Sequence, residues 1–117
     1  MTDCIHTFFS AWGDPSAESR AAKTDAALSL NFYYADPNAP EPITDREMYL
    51  AYVKIYGDMM PDGSAEVVHV SDHNGHARAT VAFCKDGVPM QHGQYFADIS
   101  DGKITRLIGF SGMGDPE

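Results

Sequence analysis

Few side chains in this sequence are suited to chemistry, and they are scattered rather than gathered in a compact motif. Asp36 closes an aromatic run, Tyr33-Tyr34-Ala35-Asp36. Its carboxylate could act as a base. An Asp ahead of Pro37-Asn38 could equally start a turn by bonding its own backbone. Tyr95 shares an alternation face with Gly93, Ala97 and Ile99. A phenol titrates at about 10 when unperturbed, so at neutral pH it donates hydrogen bonds more readily than it takes protons. Tyr95 could therefore polarise a ligand carbonyl, or simply be a buried ring whose hydroxyl meets a backbone carbonyl. Of the histidines His6, His69, His73, His76 and His92, the last and His69 lie within strand patterns. Either could be a neutral general base, since an unperturbed pKa of about 6.5 suits that task; a lone strand histidine is more often structural. His73 and His76 flank a turn, and with His69 they match no zinc spacing, so no metal is expected. Cys4 and Cys84 lack a C-x-x-C partner and read as inert, and Arg78 and Arg106 read as surface ion-pair partners.

These groups need elements to carry them. From Thr2 to Trp12 the apolar residues Ile5, Phe8, Phe9 and Trp12 fall on one helical face, with Gly13 as a stop. Asp14-Pro15 reads as the next helix start, and Ser16 to Leu28 as one or two short helices. Leu30 to Asp36 is a strand with Leu30, Phe32, Tyr34 and Asp36 on one face. Prolines 37, 40 and 42 make the following segment a loop. Thr44 and Glu47 fit a capping box, opening a helix striped with Tyr49, Tyr52, Tyr56, Met59 and Met60 that should end near Pro61-Asp62-Gly63.

The remainder is β. Ala65–Ser71, His76–Lys85, Val88–Ser100 and Lys103–Phe110 read as strands joined at Asn74-Gly75, Asp86-Gly87 and Asp101-Gly102, pairs that readily take positive φ. Gly93 is a natural place for a bend. Residues 111–117 form a Gly-rich acidic tail expected to fray. Helices early and hairpins late make an α+β domain with helices on one sheet face. A long twisted meander curls, and helices across its concave side leave a blind pocket.

Composition narrows the partners. At 117 residues the chain is one domain. Eight Lys and Arg against 17 Asp and Glu give a net charge of −9, which repels nucleic acid and anionic membrane. No apolar run approaches the roughly 20 residues of a spanning helix. The first residues carry no basic or signal-like stretch, and two cysteines suit a reducing cytoplasm, the expected location.

Phe8-Phe9-Ser10-Ala11-Trp12-Gly13-Asp14-Pro15, Tyr34-Ala35-Asp36-Pro37, Gly93-Gln94-Tyr95 and Asp101-Gly102-Lys103-Ile104 through Gly109-Phe110 resemble the SnoaL-like group of the nuclear transport factor 2-like superfamily. The resemblance implies a cone-shaped α+β barrel with three or four helices over the concave face of a mostly antiparallel sheet. It also implies a deep apolar pocket and homodimers through the outer sheet face. Relatives include polyketide cyclases, ketosteroid isomerases, dehydratases and non-catalytic binders, so fold alone decides little. Cyclases of this group place an acid/base Asp two residues after the glycine matching Gly93; here that position is Tyr95. Asp98 is an odd number of residues away and should face the other side of the sheet.

The expectation is a protein that holds a small, mostly apolar organic molecule without a cofactor. Trp12, Tyr34, Tyr52, Tyr56, Met59, Val81, His92, Tyr95 and Phe110 would line the pocket. The alternative is an isomerase, cyclase or dehydratase that moves a proton next to a carbonyl, with Tyr95, Asp36 and His69 as the catalytic candidates. Val68, Val70, Phe96 and Leu107 are expected on the outer, dimer-forming face.

Overall fold

The computed structural model describes residues 2–112; residues 113–117 of the expected tail lie outside the described residues. Three helices and five strands follow in the order α1 (Asp3–Ser10), α2 (Ala17–Ala27), β1 (Leu28–Ala35), α3 (Arg46–Met59), β2 (Gly63–His73), β3 (His76–Lys85), β4 (Val88–Ser100) and β5 (Lys103–Ser111). The strands make one curved, unclosed sheet in the order β1-β5-β4-β3-β2. The meander β2 to β5 is antiparallel, and β1 joins its far edge parallel to β5. The fold is the expected α+β arrangement, with three helices over the sheet.

The hairpins form where the sequence offers residues that tolerate the left-handed region. Asn74 and Gly75, Asp86 and Gly87, and Asp101 and Gly102 all have positive φ, between 51° and 81°. A tight hairpin with both central residues at positive φ matches the twist of the flanking strands. The α1 stripe buries Ile5, Phe8 and Phe9 against the sheet, where they join Tyr34, Tyr49, Val53, Ile104 and Leu107 in the core.

Two helix starts differ from expectation. The N-cap of α2 is Ser16, whose hydroxyl accepts the Ser19 amide at 3.1 Å. Asp14 braces the same corner from outside the helix. The N-cap of α3 is Asp45, which accepts the Met48 amide at 3.0 Å. Thr44 is therefore not the cap, and Glu47 is exposed and paired with Arg46.

Irregularities in the ladder redirect several faces. An extra residue in β2 lies between the pairs Val67–Val81 and His69–Thr80, so Val67 and Val70 pack on the core while Val68 and His69 are exposed. In β5 the extra residue is Thr105, between Asp98–Arg106 and Ile99–Ile104. Ile104 and Leu107 consequently both point inward and are fully buried. Val70 and Leu107 thus belong to the inner side, not to the outer face expected for them. In β4 the break falls at Met90, not at Gly93, which pairs regularly with Val81 and Ser111. Register also shifts in β1 between Leu28 and Tyr33, leaving Leu30 94% exposed while Phe32 and Tyr34 are buried.

Candidate functional site

The helices and the inner face of the sheet enclose a cavity of about 470 Å³. One wall comes from the end of α1: Trp12 packs edge-on to Tyr56 of α3 at 5.0 Å and lies 5.9 Å from Phe83 of β3. Its indole nitrogen donates to the Tyr49 hydroxyl at 3.0 Å, which fixes the ring under α3. Tyr52 and Tyr56 face the cavity from α3, and Tyr49, three residues before Tyr52, is buried in the core. Helical spacing thus divides the tyrosine stripe into one core residue and two wall residues.

Tyr95 forms the floor from β4. Its cross-strand neighbours are Ala79 and Gly109, and it is 5% exposed. A Cβ on Gly109 would come 2.4 Å from the Tyr95 ring, so this glycine is what lets the ring lie flat across β5. Phe9 packs edge-on to the same ring at 4.8 Å. Burial and then the charge of Asp36 push the Tyr95 hydroxyl above its ordinary pKa, against a smaller opposing effect of the Tyr34 hydroxyl. It is a protonated hydrogen-bond donor across the neutral range.

Asp36 occupies the polar end. It follows the last residue of β1, and the loop after it returns so that Tyr34 and Ile43 bridge through two backbone hydrogen bonds, of 2.9 and 2.7 Å. The Asp36 carboxylate accepts the amides of Asn38 and Ala39, both at 2.8 Å. It also accepts the hydroxyl of Tyr52 at 2.8 Å and that of Tyr34. The residue is therefore both things the sequence allowed, a turn former and a carboxylate on the cavity. Burial first, and then the bond to Asp36, raises the Tyr52 hydroxyl above its usual range; burial dominates for Tyr34. Neither phenol ionises near neutrality, so both remain donors to the carboxylate.

The structure brings Asp36 and Tyr95 to one cavity but leaves His69 out of it. The β2 bulge turns His69 to the exposed side opposite Thr80, away from the cavity lining. Trp12, Tyr52, Tyr56, Met59, His92 and Tyr95 line the cavity, and Phe110 borders it at the end of β5 with its ring against Phe96 on the outer face. Tyr34 and Val81 do not. Both are fully buried, Tyr34 behind Asp36 and Val81 in the core beneath the sheet's inner layer. Phe83, Met60 and Met90 line it unannounced. Phe83 was legible from its alternation with Val81. Met90 was not, because the extra residue that turns it to the rim leaves no mark in composition.

The remaining candidates sit elsewhere. His76 pairs with Asp98 at 2.7 Å on the exposed side of the sheet, and His73 is exposed. Arg106 lies over the Tyr33 ring at 5.2 Å and Arg78 donates to Ser71 at 3.4 Å, contacts other than the surface ion pairs expected for them. Cys4 and Cys84 are free, buried thiols, raised above their ordinary pKa chiefly by burial. Among the described residues no group of three or more His, Cys, Asp or Glu could hold a metal ion, and no helix is long and apolar enough to cross a membrane.

No family model matches the sequence, and no curated protein does. Solved structures do match. A SnoaL-like family protein from Agrobacterium tumefaciens, assigned as an isomerase, superposes with a TM-score of 0.82 at 18% identity over 95% of this chain and 96% of its own. A protein from Sinorhizobium meliloti assigned as a polyketide cyclase gives 0.71 at 16%, over 93% and 94%. A protein of ketosteroid isomerase-like fold from Catenulispora acidiphila, solved with trimethylamine, gives 0.72 at 12%, over 92% and 83%. The chain has the nuclear transport factor 2-like fold, in the form seen in SnoaL-like and ketosteroid isomerase-like proteins. At these identities the likeness defines the fold and leaves the activity to the site.

Proposed function

We propose that this protein binds a small, mostly apolar organic molecule in the cavity, anchored at the end where Asp36, Tyr52 and Tyr95 meet. The observation that carries this is the lining itself: rings and methionines on the walls, with polar groups confined to one end. Ligand sites combine apolar walls with few polar anchors in this way. The trimethylamine held by the Catenulispora protein is in keeping with a small organic guest in this fold. Native mass spectrometry of freshly purified protein tests the proposal. A co-purifying small molecule that Tyr95→Phe or Tyr56→Ala weakens supports it; a ligand indifferent to both substitutions overturns it.

A second reading is cofactor-independent proton transfer next to a carbonyl: isomerisation, cyclisation or dehydration. It is favoured by the presence of a carboxylate and a protonated phenol at the same cavity end. Tyr95 would bind the developing enolate oxygen and Asp36 would move the proton. Loss of such a donor costs about 10²–10³ in rate. Binding ranks first because Asp36 already accepts four hydrogen bonds, from two hydroxyls and two amides, leaving few lone pairs for a substrate proton. A bell-shaped pH–rate profile on a ketone substrate would reverse that ranking.

We also propose a homodimer through the outer sheet face. Phe96 and Phe110 stack edge-on there at 5.9 Å, and with Val68 they are about half exposed. Sedimentation at micromolar concentration decides it, a 12.8 kDa species counting against. A cytoplasmic location belongs to the same proposal, supported by the two free thiols.

A further inference from the structure

The cavity holds one carboxylate that no Lys or Arg among the described residues pairs with, and the basic side chain on its lining is His92. Asp36 lies at its polar end, and among the described residues no Lys or Arg lines it. The ion pairs among the described residues lie elsewhere, at Asp14, Asp25, Glu47, Asp58 and Asp98. The groups that touch the Asp36 carboxylate are neutral hydroxyls and amides. Tyr34 and Tyr52 direct their protons at it, so the polar end offers a guest negative charge and few free donors. A carbonyl compound would find mainly Tyr95 to bind it. An anion would meet a like charge.

The walls point the same way. Tyr52, Trp12, Tyr56, Phe83 and Tyr95 form an unbroken run of rings, each centroid 5.0 to 6.3 Å from the next. Aromatic faces carry negative potential and attract a cation within about 6 Å of the centroid, more strongly when water is excluded. The net charge of −9 draws cations toward the protein as a whole. We propose that the cavity selects an organic cation: an ammonium group on an apolar body, its charge against Asp36 and its alkyl substituents against Trp12, Tyr56 and Phe83. This rests on the reading of the cavity as a ligand site and specifies the chemistry of the guest.

Trp12 is the sole tryptophan and lines the cavity, so its fluorescence reports occupancy directly. The probes are choline and its neutral isostere 3,3-dimethylbutan-1-ol, which differ in the charge of one atom. Choline is expected to bind at least about tenfold more tightly, the effect of one desolvated cation–ring and carboxylate set. Asp36→Asn should remove most of that preference by weakening choline far more than the alcohol. Phe83→Leu keeps the apolar wall without the ring and should weaken choline a few-fold more than the alcohol; it decides the matter if Asp36→Asn fails to fold. Equal binding of the two probes, or variants that weaken both alike, overturns the cation preference and leaves the cavity reading standing. If neither probe perturbs Trp12, both are overturned.

Discussion

Two carboxylates, Asp14 and Asp36, stand at two corners of this molecule and are treated in opposite ways. At the α1–α2 corner Asp14 meets Lys23 at 2.8 Å, the Ser19 hydroxyl at 2.6 Å and the Ser16 amide at 3.0 Å. Lys23 also reaches the Ser10 carbonyl at 3.2 Å, and Arg20 holds the Asp14 carbonyl at 2.7 Å. The bonds from Lys23, Ser19 and Ser16 hold the Asp14 carboxyl well below the usual carboxylate range. Asp36 has four donors to the three of Asp14 but, among the described residues, no cation, and it opens on a cavity instead of a helix end. The first arrangement is complete in itself. The second is satisfied in hydrogen bonds yet not in charge, and that difference separates a carboxylate that holds the fold from one whose charge faces a cavity.

The comparison breaks most severely if the Asp36 corner loses its floor. Gly109→Ala places a methyl 2.4 Å from the Tyr95 ring of the paired strand, so the ring must shift. The expected loss is about 1–3 kcal/mol of stability, the usual cost of overpacking. The ring shift should also change Trp12 fluorescence, because Phe83 and Phe9 touch both side chains. Urea denaturation with fluorescence detection measures both. A variant as stable as the parent would mean that Tyr95 is not held as described.

Asp14→Asn sharpens the contrast from the other corner. It removes the Lys23 ion pair and weakens the hydrogen bonds that brace the start of α2, at a cost of about 1–2 kcal/mol. The folded-state carboxyl is depressed, so its contribution is fully present above the unfolded value of about 3.9 and is lost as pH falls through the folded value. The stability gap between parent and variant should therefore be constant at neutral pH and shrink progressively in acid below about pH 4. Denaturation midpoints at pH 7, 5 and 3 check this; a gap that does not depend on pH would assign the effect to packing.

What could be read from the sequence follows from how local each feature is. The three hairpins were legible because Asn74-Gly75, Asp86-Gly87 and Asp101-Gly102 state their own backbone geometry. The α1 face was legible because Ile5, Phe8, Phe9 and Trp12 repeat at helical spacing, and the Tyr52/Tyr56 wall for the same reason. The bulges at Val68, Met90 and Thr105 were not, since an extra residue in a strand changes pairing without changing residue type. Each bulge inverts the alternation beyond it, which is how His69 left the cavity and Leu107 entered the core. The tie between Tyr52 and Asp36 spans 16 residues and depends on how α3 is rotated over the sheet, which no local pattern encodes. Asp36 itself was visible, but its two roles looked exclusive in one dimension. In three dimensions Oδ1 takes the turn amides while Oδ2 takes Tyr34, and Tyr52 reaches both.

The smallest expected change in stability belongs to Asp36→Asn. Asparagine supports the same turn, because its side-chain oxygen can accept the Asn38 and Ala39 amides. What it forfeits is the charge and one acceptor for Tyr34 and Tyr52. With no cation among the described residues beside Asp36 to be stranded, the cost should stay below about 1 kcal/mol, less than that of Asp14→Asn. Urea midpoints of the two variants, measured together at pH 7, make the test. If Asp36→Asn is the more damaging of the pair, Asp36 is chiefly a structural brace and the two corners differ in degree only. If it is the milder, the fold does not depend on that charge, and the two corners differ in kind.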